Sequence, residues 1–309
     1  MITTRREFLA GLALAPALVA EAAEQPVIID THTHFYDPTR PEGVPWPGKD
    51  DKLLYRKVLP DEFQKLVKLH GVTGTIVVEA SPWPKDNDWL LKLAKSEPII
   101  KGIVGRLFPG KAEFANELNR LKKEPLFRGI RISSGELKAG LENEAFRKDL
   151  GRFAEAELTL DVNGGPEMLT DVARLAKDFP KLRIVVNHMA NVAIDGKAPP
   201  EKWKGDILAC GKQTNVWCKM SALVEGSRMS DGKAPKELAF YSPALDVLWE
   251  AFGVHRLVFG SNWPVSDAFA TYATVFKLAD EFLAAKGKEA RAKIFGANAV
   301  EAYGLKPPG

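Results

Sequence analysis

From Val27 onward, short β-branched and apolar runs alternate with longer stretches in which apolar side chains recur every three or four positions. The first pattern suits an extended chain buried on both faces, and the second suits a helix burying one stripe. Strands are predicted over 27–30, 75–79, 99–107, 127–132, 158–163, 183–187, 215–220 and 256–259. Helices are predicted over 61–70, 87–96, 111–123, 143–156, 167–178 and 242–252. Strict alternation of the two implies parallel strands with right-handed crossovers. Eight strands, with no Gly-x-Gly-x-x-Gly turn after the first, favour a single closed (β/α)8 barrel of the TIM type over an open doubly wound sheet.

Polar residues cluster where a barrel enzyme needs them. His32, His34, Glu79, Arg106, Arg131, Asn163, His188, Ser221 and Asn262 all fall at or just past the carboxyl ends of predicted strands, the face that carries active sites in barrels. Two long connections, 36–59 and 222–241, are assigned to the substrate mouth, since structureless loops of that length are commonly lids or binding loops.

Composition changes this picture at the N-terminus. Arg5-Arg6 precedes an apolar run over 9–20 and the small-residue segment Ala20-Glu21-Ala22, so residues 1–24 are expected to be a twin-arginine signal peptide and 25–309 the mature barrel. The run is too short to span a membrane. An exported or periplasmic protein, free of the membrane after cleavage, is the expectation. A net charge of +3 with no basic stripe points away from nucleic acid and toward a small-molecule substrate; the oligomeric state is left open. The two cysteines, Cys210 and Cys218, read more simply as buried thiols than as a disulfide.

Asp30-Thr31-His32-Thr33-His34 is the strongest local signal. Side chains two apart on a strand share a face, so His32 and His34 enter the mouth together, able to hold one cation or an oxyanion. His70 and His255 read as surface or capping residues.

With that motif, Arg128-Gly129-Ile130-Arg131, Val185-Val186-Asn187-His188-Met189, Cys218-Lys219-Met220-Ser221, the stretch from Arg256 through Gly260-Ser261-Asn262-Trp263-Pro264, and Phe295-Gly296-Ala297-Asn298-Ala299 follow in order. In this order and spacing the chain resembles the amidohydrolase superfamily, in its amidohydrolase-related branch of sugar-acid and dicarboxylate lactonases. The resemblance implies a barrel that hydrolyses esters, lactones or amides, less often one that decarboxylates or isomerises. It also implies a histidine pair, a later histidine (His188) and an eighth-strand aspartate around the reacting carbonyl.

Two departures matter. Binuclear members carry a carboxylated lysine or glutamate on the fourth strand and a histidine on the fifth, where this chain has Arg131 and Asn163. The eighth-strand aspartate is Asn262, whose amide cannot accept a proton. The expectation is therefore no essential metal, or one divalent ion, zinc by preference, on His32, His34 and His188. The base must be another carboxylate, with Asp267 and Glu79 as candidates, although Asp267 also suits the N-cap of a helix beginning near Ala268. Arg131 is expected either to pair with Asp161 or Asp30 or to meet substrate in the mouth, with Lys219, Ser221 and Trp263 as further substrate contacts. The reading is a hydrolase opening a small polar lactone of the sugar-acid type. The alternatives are a decarboxylase or lactone isomerase on the same barrel, or a non-catalytic periplasmic binding protein.

Overall fold

The computed structural model describes residues 27–306, so the expected leader lies outside the described residues. Eight parallel strands run in sequence order around a barrel: β1 (Ile29–Thr33), β2 (Gly74–Val78), β3 (Ile100–Gly105), β4 (Phe127–Ser133), β5 (Thr159–Asn163), β6 (Arg183–Val186), β7 (Val216–Met220) and β8 (Leu257–Phe259). Closure lies past the end of β8, where Asn262 N donates to His32 O at 2.9 Å and His34 N to Trp263 O at 2.9 Å. The seam therefore runs through the histidine motif itself.

The strand centres agree with the sequence pattern, and the differences have local causes. The third strand, predicted to run to Leu107, ends at Gly105, because the Arg106 N–H leaves the ladder for Asn87 Oδ1 at 2.8 Å. The helix expected from 242 begins at Leu238 and carries Pro243 inside it, where a missing N–H ordinarily ends a helix. The helix Glu201–Gly211 has no counterpart in the sequence pattern, and the helix expected from near Ala268 begins at Tyr272.

Apolar residues divide into two cores. The larger packs the helices onto the outside of the sheet. The smaller fills the barrel with Ile29, Ile76, Val78, Val104, Val185, Trp217 and Val258, and is closed by Tyr303 of the helix Asn298–Tyr303. That helix is tied to the base of β5 by Thr159 Oγ1, which donates to Ala302 O at 2.6 Å. Cys210 and Cys218 are buried free thiols, and burial pushes the Cys210 pKa up to about 12. Among the described residues no helix is long and apolar enough to cross a membrane.

Candidate active site

A cavity of about 700 Å³ opens at the carboxyl ends of the strands. His34, Glu79, Arg106, Arg131, Asn163, His188 and Asn262 all line it, so these strand-end residues converge as the sequence pattern requires. Both long connections reach it as well, 36–59 through Trp46 and 222–241 through Ala222 and Glu225.

The histidines form one cluster. Ring centres of His32 and His34 lie 5.0 Å apart, and those of His32 and His188 4.2 Å apart. His188 leaves β6 in a tight turn where it, Met189 and Ala190 have φ of 54°, 52° and 57°. Such left-handed backbone costs of order 1–3 kcal/mol per non-glycine residue, and Trp203 Nε1 helps to hold it by donating to Met189 O at 2.9 Å. On the opposite side β8 passes so close that a Cβ on Gly260 would sit 2.8 Å from His32 Cβ. Only glycine lets the seam close over the histidine.

Burial keeps all three imidazoles neutral, since desolvation penalises the charged ring. His34 is pushed down to about 3, with the Arg131 charge adding to burial. His32 and His188 are held well below the usual range by burial and then by Lys219. His34 Nδ1 lies 2.9 Å from the carbonyl of Val78. A carbonyl only accepts, so Nδ1 carries the proton and Nε2 keeps a lone pair. His188 Nδ1 meets Ser221 Oγ at 2.8 Å.

Several expected substrate contacts occupy other places. Lys219 is fully buried inside the barrel, pairing with Asp161 Oδ2 at 2.7 Å and meeting His32 Nδ1 at 3.2 Å, so it cannot touch substrate. Ser221 is likewise fully buried, behind His188. Trp263 is 1% exposed and packs its ring on Phe63 and Phe35, so the indole offers no face to a sugar. Trp46 lies at the mouth instead, 5.9 Å from the His34 ring.

Arg131 both lines the cavity and is paired, but with neither Asp161 nor Asp30. Its Nε donates to Glu79 Oε1 at 3.0 Å and its Nη2 to Glu79 O at 2.7 Å. Asp161 is taken by Lys219 and Tyr303, and Asp30 by the amides of His32 and Ser261 and by Tyr272. Glu79 is thus engaged as a counter-ion, its carboxyl raised by burial against the opposing pull of Arg131. Arg106 forms a second such pair with Glu136 at 2.6 Å.

Asp267 does not line the cavity. It sits in the short turn Val265–Ala268 with Oδ2 4.0 Å from Arg56 Nη2, and burial raises it to about 6. Nor does it cap a helix, because the next helix begins at Tyr272 and is capped by Thr271. The carboxylate that does reach the cavity beside Asn262 is Glu225, which the sequence reading did not single out. Asn262 Nδ2 donates to Glu225 Oε1 at 2.8 Å. Its one sequence signal is an acidic side chain within a loop already assigned to the mouth.

The donor set does not fit a zinc centre as it stands. Two imidazoles on one tetrahedral zinc, with Zn–N of 2.0–2.1 Å, keep ring centres roughly 5 Å apart, whereas His32 and His188 are closer at 4.2 Å. Lys219 places an ammonium against His32, which disfavours a dication on the same ring. Among the described residues no three histidine, cysteine or acidic side chains converge on a common metal position.

Comparison with known proteins agrees with this architecture. The L-fucono-1,5-lactonase of Burkholderia ambifaria is 28% identical over 91% of this chain and 96% of its own length. A solved amidohydrolase from Burkholderia multivorans with bound zinc superposes with a TM-score of 0.80 at 24% identity, over 91% of this chain and 100% of that one. A probable 2-pyrone-4,6-dicarboxylic acid hydrolase from Acinetobacter baumannii, with citric acid bound, superposes at 0.72 with 20% identity, over 90% and 99%. The family model for amidohydrolases matches residues 29–305, and with the barrel and its strand-end histidines in place the chain belongs to the amidohydrolase family and is an enzyme.

Proposed function

We propose that the enzyme opens a small, uncharged, hydroxyl-rich lactone of a sugar acid by attack of water. The observation that carries this reading is the charge balance of the cavity. Both guanidiniums facing it are already matched, Arg131 by Glu79 and Arg106 by Glu136. A dicarboxylate or a substrate awaiting decarboxylation needs an unmatched cation to receive its charge. A neutral polyol ring needs alternating donors and acceptors, which Arg131, Asn163, Asn191, Ser133 and Glu136 supply around the wall. The name of the Burkholderia ambifaria relative supports the same substrate class.

Neutral His188 and the guanidinium of Arg131 are the groups suited to donate to the carbonyl oxygen as it becomes an oxyanion. Ser221 behind His188 fixes that ring, as an orienting partner does for a catalytic imidazole. If the Ser221 hydroxyl donates to Nδ1, the His188 proton is left on Nε2.

The test is turnover of a panel of sugar-acid 1,5- and 1,4-lactones, followed by the proton released on ring opening. Rapid opening of at least one member is the expected result. Carbon dioxide release from a carboxylated substrate, or saturable binding without turnover, would overturn it in favour of a decarboxylase or a binding protein. We further propose, from Arg5-Arg6 and the apolar run behind them, that the chain is exported.

A further inference from the structure

The amide at position 262 removes the proton acceptor that the family pattern expects, and two candidates proposed from sequence do not replace it. Glu79 is committed to Arg131, and Asp267 turns toward Arg56. Glu225 follows β7 in the helical turn Leu223–Gly226. Its backbone is anchored from both sides: Gly226 N donates to Ala222 O at 3.0 Å, and Ile194 N to Gly226 O at 2.8 Å. Asn262, with φ of 61°, is in the left-handed region that asparagine tolerates better than most residues. Its Nδ2 fixes Glu225 Oε1, while Glu225 Oε2 is shielded from solvent with no partner among the described residues.

Resting on the lactone reading, we infer that Glu225 is the general base of this enzyme and that Asn262 positions it, the carboxylate having moved from the end of β8 to the loop after β7. The Glu225 carboxylate, which lines the cavity, takes a proton from water as the water oxygen bonds to the lactone carbonyl carbon, and the carbonyl becomes an oxyanion. When the oxyanion collapses, the bond from that carbon to the ring oxygen breaks. The proton held by Glu225 passes to the departing alkoxide, and the new carboxylic acid releases its own proton to solvent. Two carboxylates at 225 and 262 would repel or share one proton; the amide at 262 lets a single carboxylate occupy the site while donating to it.

Burial raises the Glu225 carboxyl to about 7, against the pull of its own backbone N–H and of Asn262 and with a further push from Asp267. Among the described residues, the Tyr241 phenol also feels the Glu225 charge. At neutral pH the Tyr241 phenol, raised by burial, keeps its proton, while Asp267, raised to about 6, is mostly anionic. A carboxyl near 7 takes and returns a proton with little loss in either direction.

The test measures kcat, KM and thermal melting for the wild type, E225Q and the exchanged pair E225Q/N262D on a lactone that the wild type opens. Loss of a general base lowers kcat by roughly a hundred- to ten-thousand-fold. E225Q is expected to lose that much with KM little changed, and the exchanged pair to recover part of it by returning a carboxylate to position 262. The wild-type kcat/KM is expected to fall on the acid side of about 7, and N262A to move that limb to higher pH, because a hydrogen bond to the charged form is lost. This second measurement stands even if E225Q does not fold. An E225Q enzyme as active as the wild type, or an acid limb that N262A leaves in place, would overturn the inference alone. A wild type inert toward every lactone would overturn the lactone reading and the inference with it.

Discussion

Lys219 Nζ lies 3.2 Å from Nδ1 of His32, inside the barrel and out of reach of solvent. Its other partner is Asp161 Oδ2 at 2.7 Å, and Tyr303 closes the same carboxylate from below at 3.1 Å. An ammonium only donates, so Nδ1 of His32 accepts and the ring proton resides on Nε2. The buried pair thus sets the tautomer of the first histidine, a role that needs no contact with substrate.

Removing one member of a buried pair leaves the other charged and unpaired, typically at a cost of about 3–5 kcal/mol. Lys219→Met should therefore destabilise the enzyme by that order in urea unfolding. Adding Asp161→Asn should restore much of the loss, because no bare charge then remains. If the double variant is as unstable as the single one, the lysine contributes by packing and not by charge.

The buried histidines tie stability to pH. His34 has its pKa lowered from 6.5 to about 3 by burial, so between these values the unfolded chain binds a proton that the folded one refuses. The sign follows: the His34 contribution is complete above about 6.5 and is lost as pH drops. One such histidine withdraws roughly 2 kcal/mol by about pH 5. The raised carboxyls of Asp30, Glu225 and Asp267 act oppositely, favouring the fold below their unfolded values and withdrawing that help as pH rises through about 6 to 7. Melting temperature between pH 6.5 and 4 should fall less steeply in His34→Asn than in the wild type. Parallel curves would show that His34 is solvated in the native state.

Much of this was legible in the sequence. The eight strand centres are short runs buried on nearly every residue, such as Gly74–Val78 and Val216–Met220, and such runs are readable without knowing their neighbours. His34, His188, Arg131 and Asn262 converge because strand ends in a barrel share one face. What failed depends on contacts between distant segments. Trp263 and Asp267 follow the eighth strand like Asn262, but the chain turns their side chains toward Phe63 and Arg56. Lys219 was placed on the correct strand but at the wrong depth, since periodicity gives the face and not the layer. Glu225 comes from a loop whose path is set by Ile194 and Ala222, and no spacing in the sequence announces that.

The imidazole cluster is arranged as a hydrogen-bonding surface, with ring centres too close at 4.2 Å for a shared zinc and an ammonium on one ring. Protein dialysed against a strong chelator is expected to keep its kcat, and elemental analysis to find at most about one equivalent of divalent ion, the capacity of a three-histidine site. Loss of activity on chelation, restored by zinc, would show that the rings reorient around a metal.

Export makes a prediction outside the barrel. Expression in a host with a working twin-arginine pathway should yield protein beginning near Glu21 to Gln25 in the periplasmic fraction, and Arg5→Lys/Arg6→Lys should hold it inside the cell. Soluble cytoplasmic protein retaining Met1 from the unaltered gene would count against the leader.

The last prediction separates Asp267 from Glu225. Asp267 is buried enough to titrate near 6, yet it faces Arg56 and lies off the cavity wall. Its influence on the reaction is electrostatic: as an anion it raises Glu225, adding to the effect of burial. Asp267→Asn removes that charge, so Glu225 should ionise more readily and the acid limb of kcat/KM should move to lower pH. The plateau of kcat should stay near the wild-type value, because no proton passes through Asp267. If Asp267 were the base, the same substitution would lower the plateau by roughly a hundred-fold or more and leave no limb to shift. Running pH profiles of Asp267→Asn and E225Q side by side therefore decides which carboxylate activates water: a shifted limb with an intact plateau assigns the role to Glu225, and a collapsed plateau in Asp267→Asn returns it to Asp267.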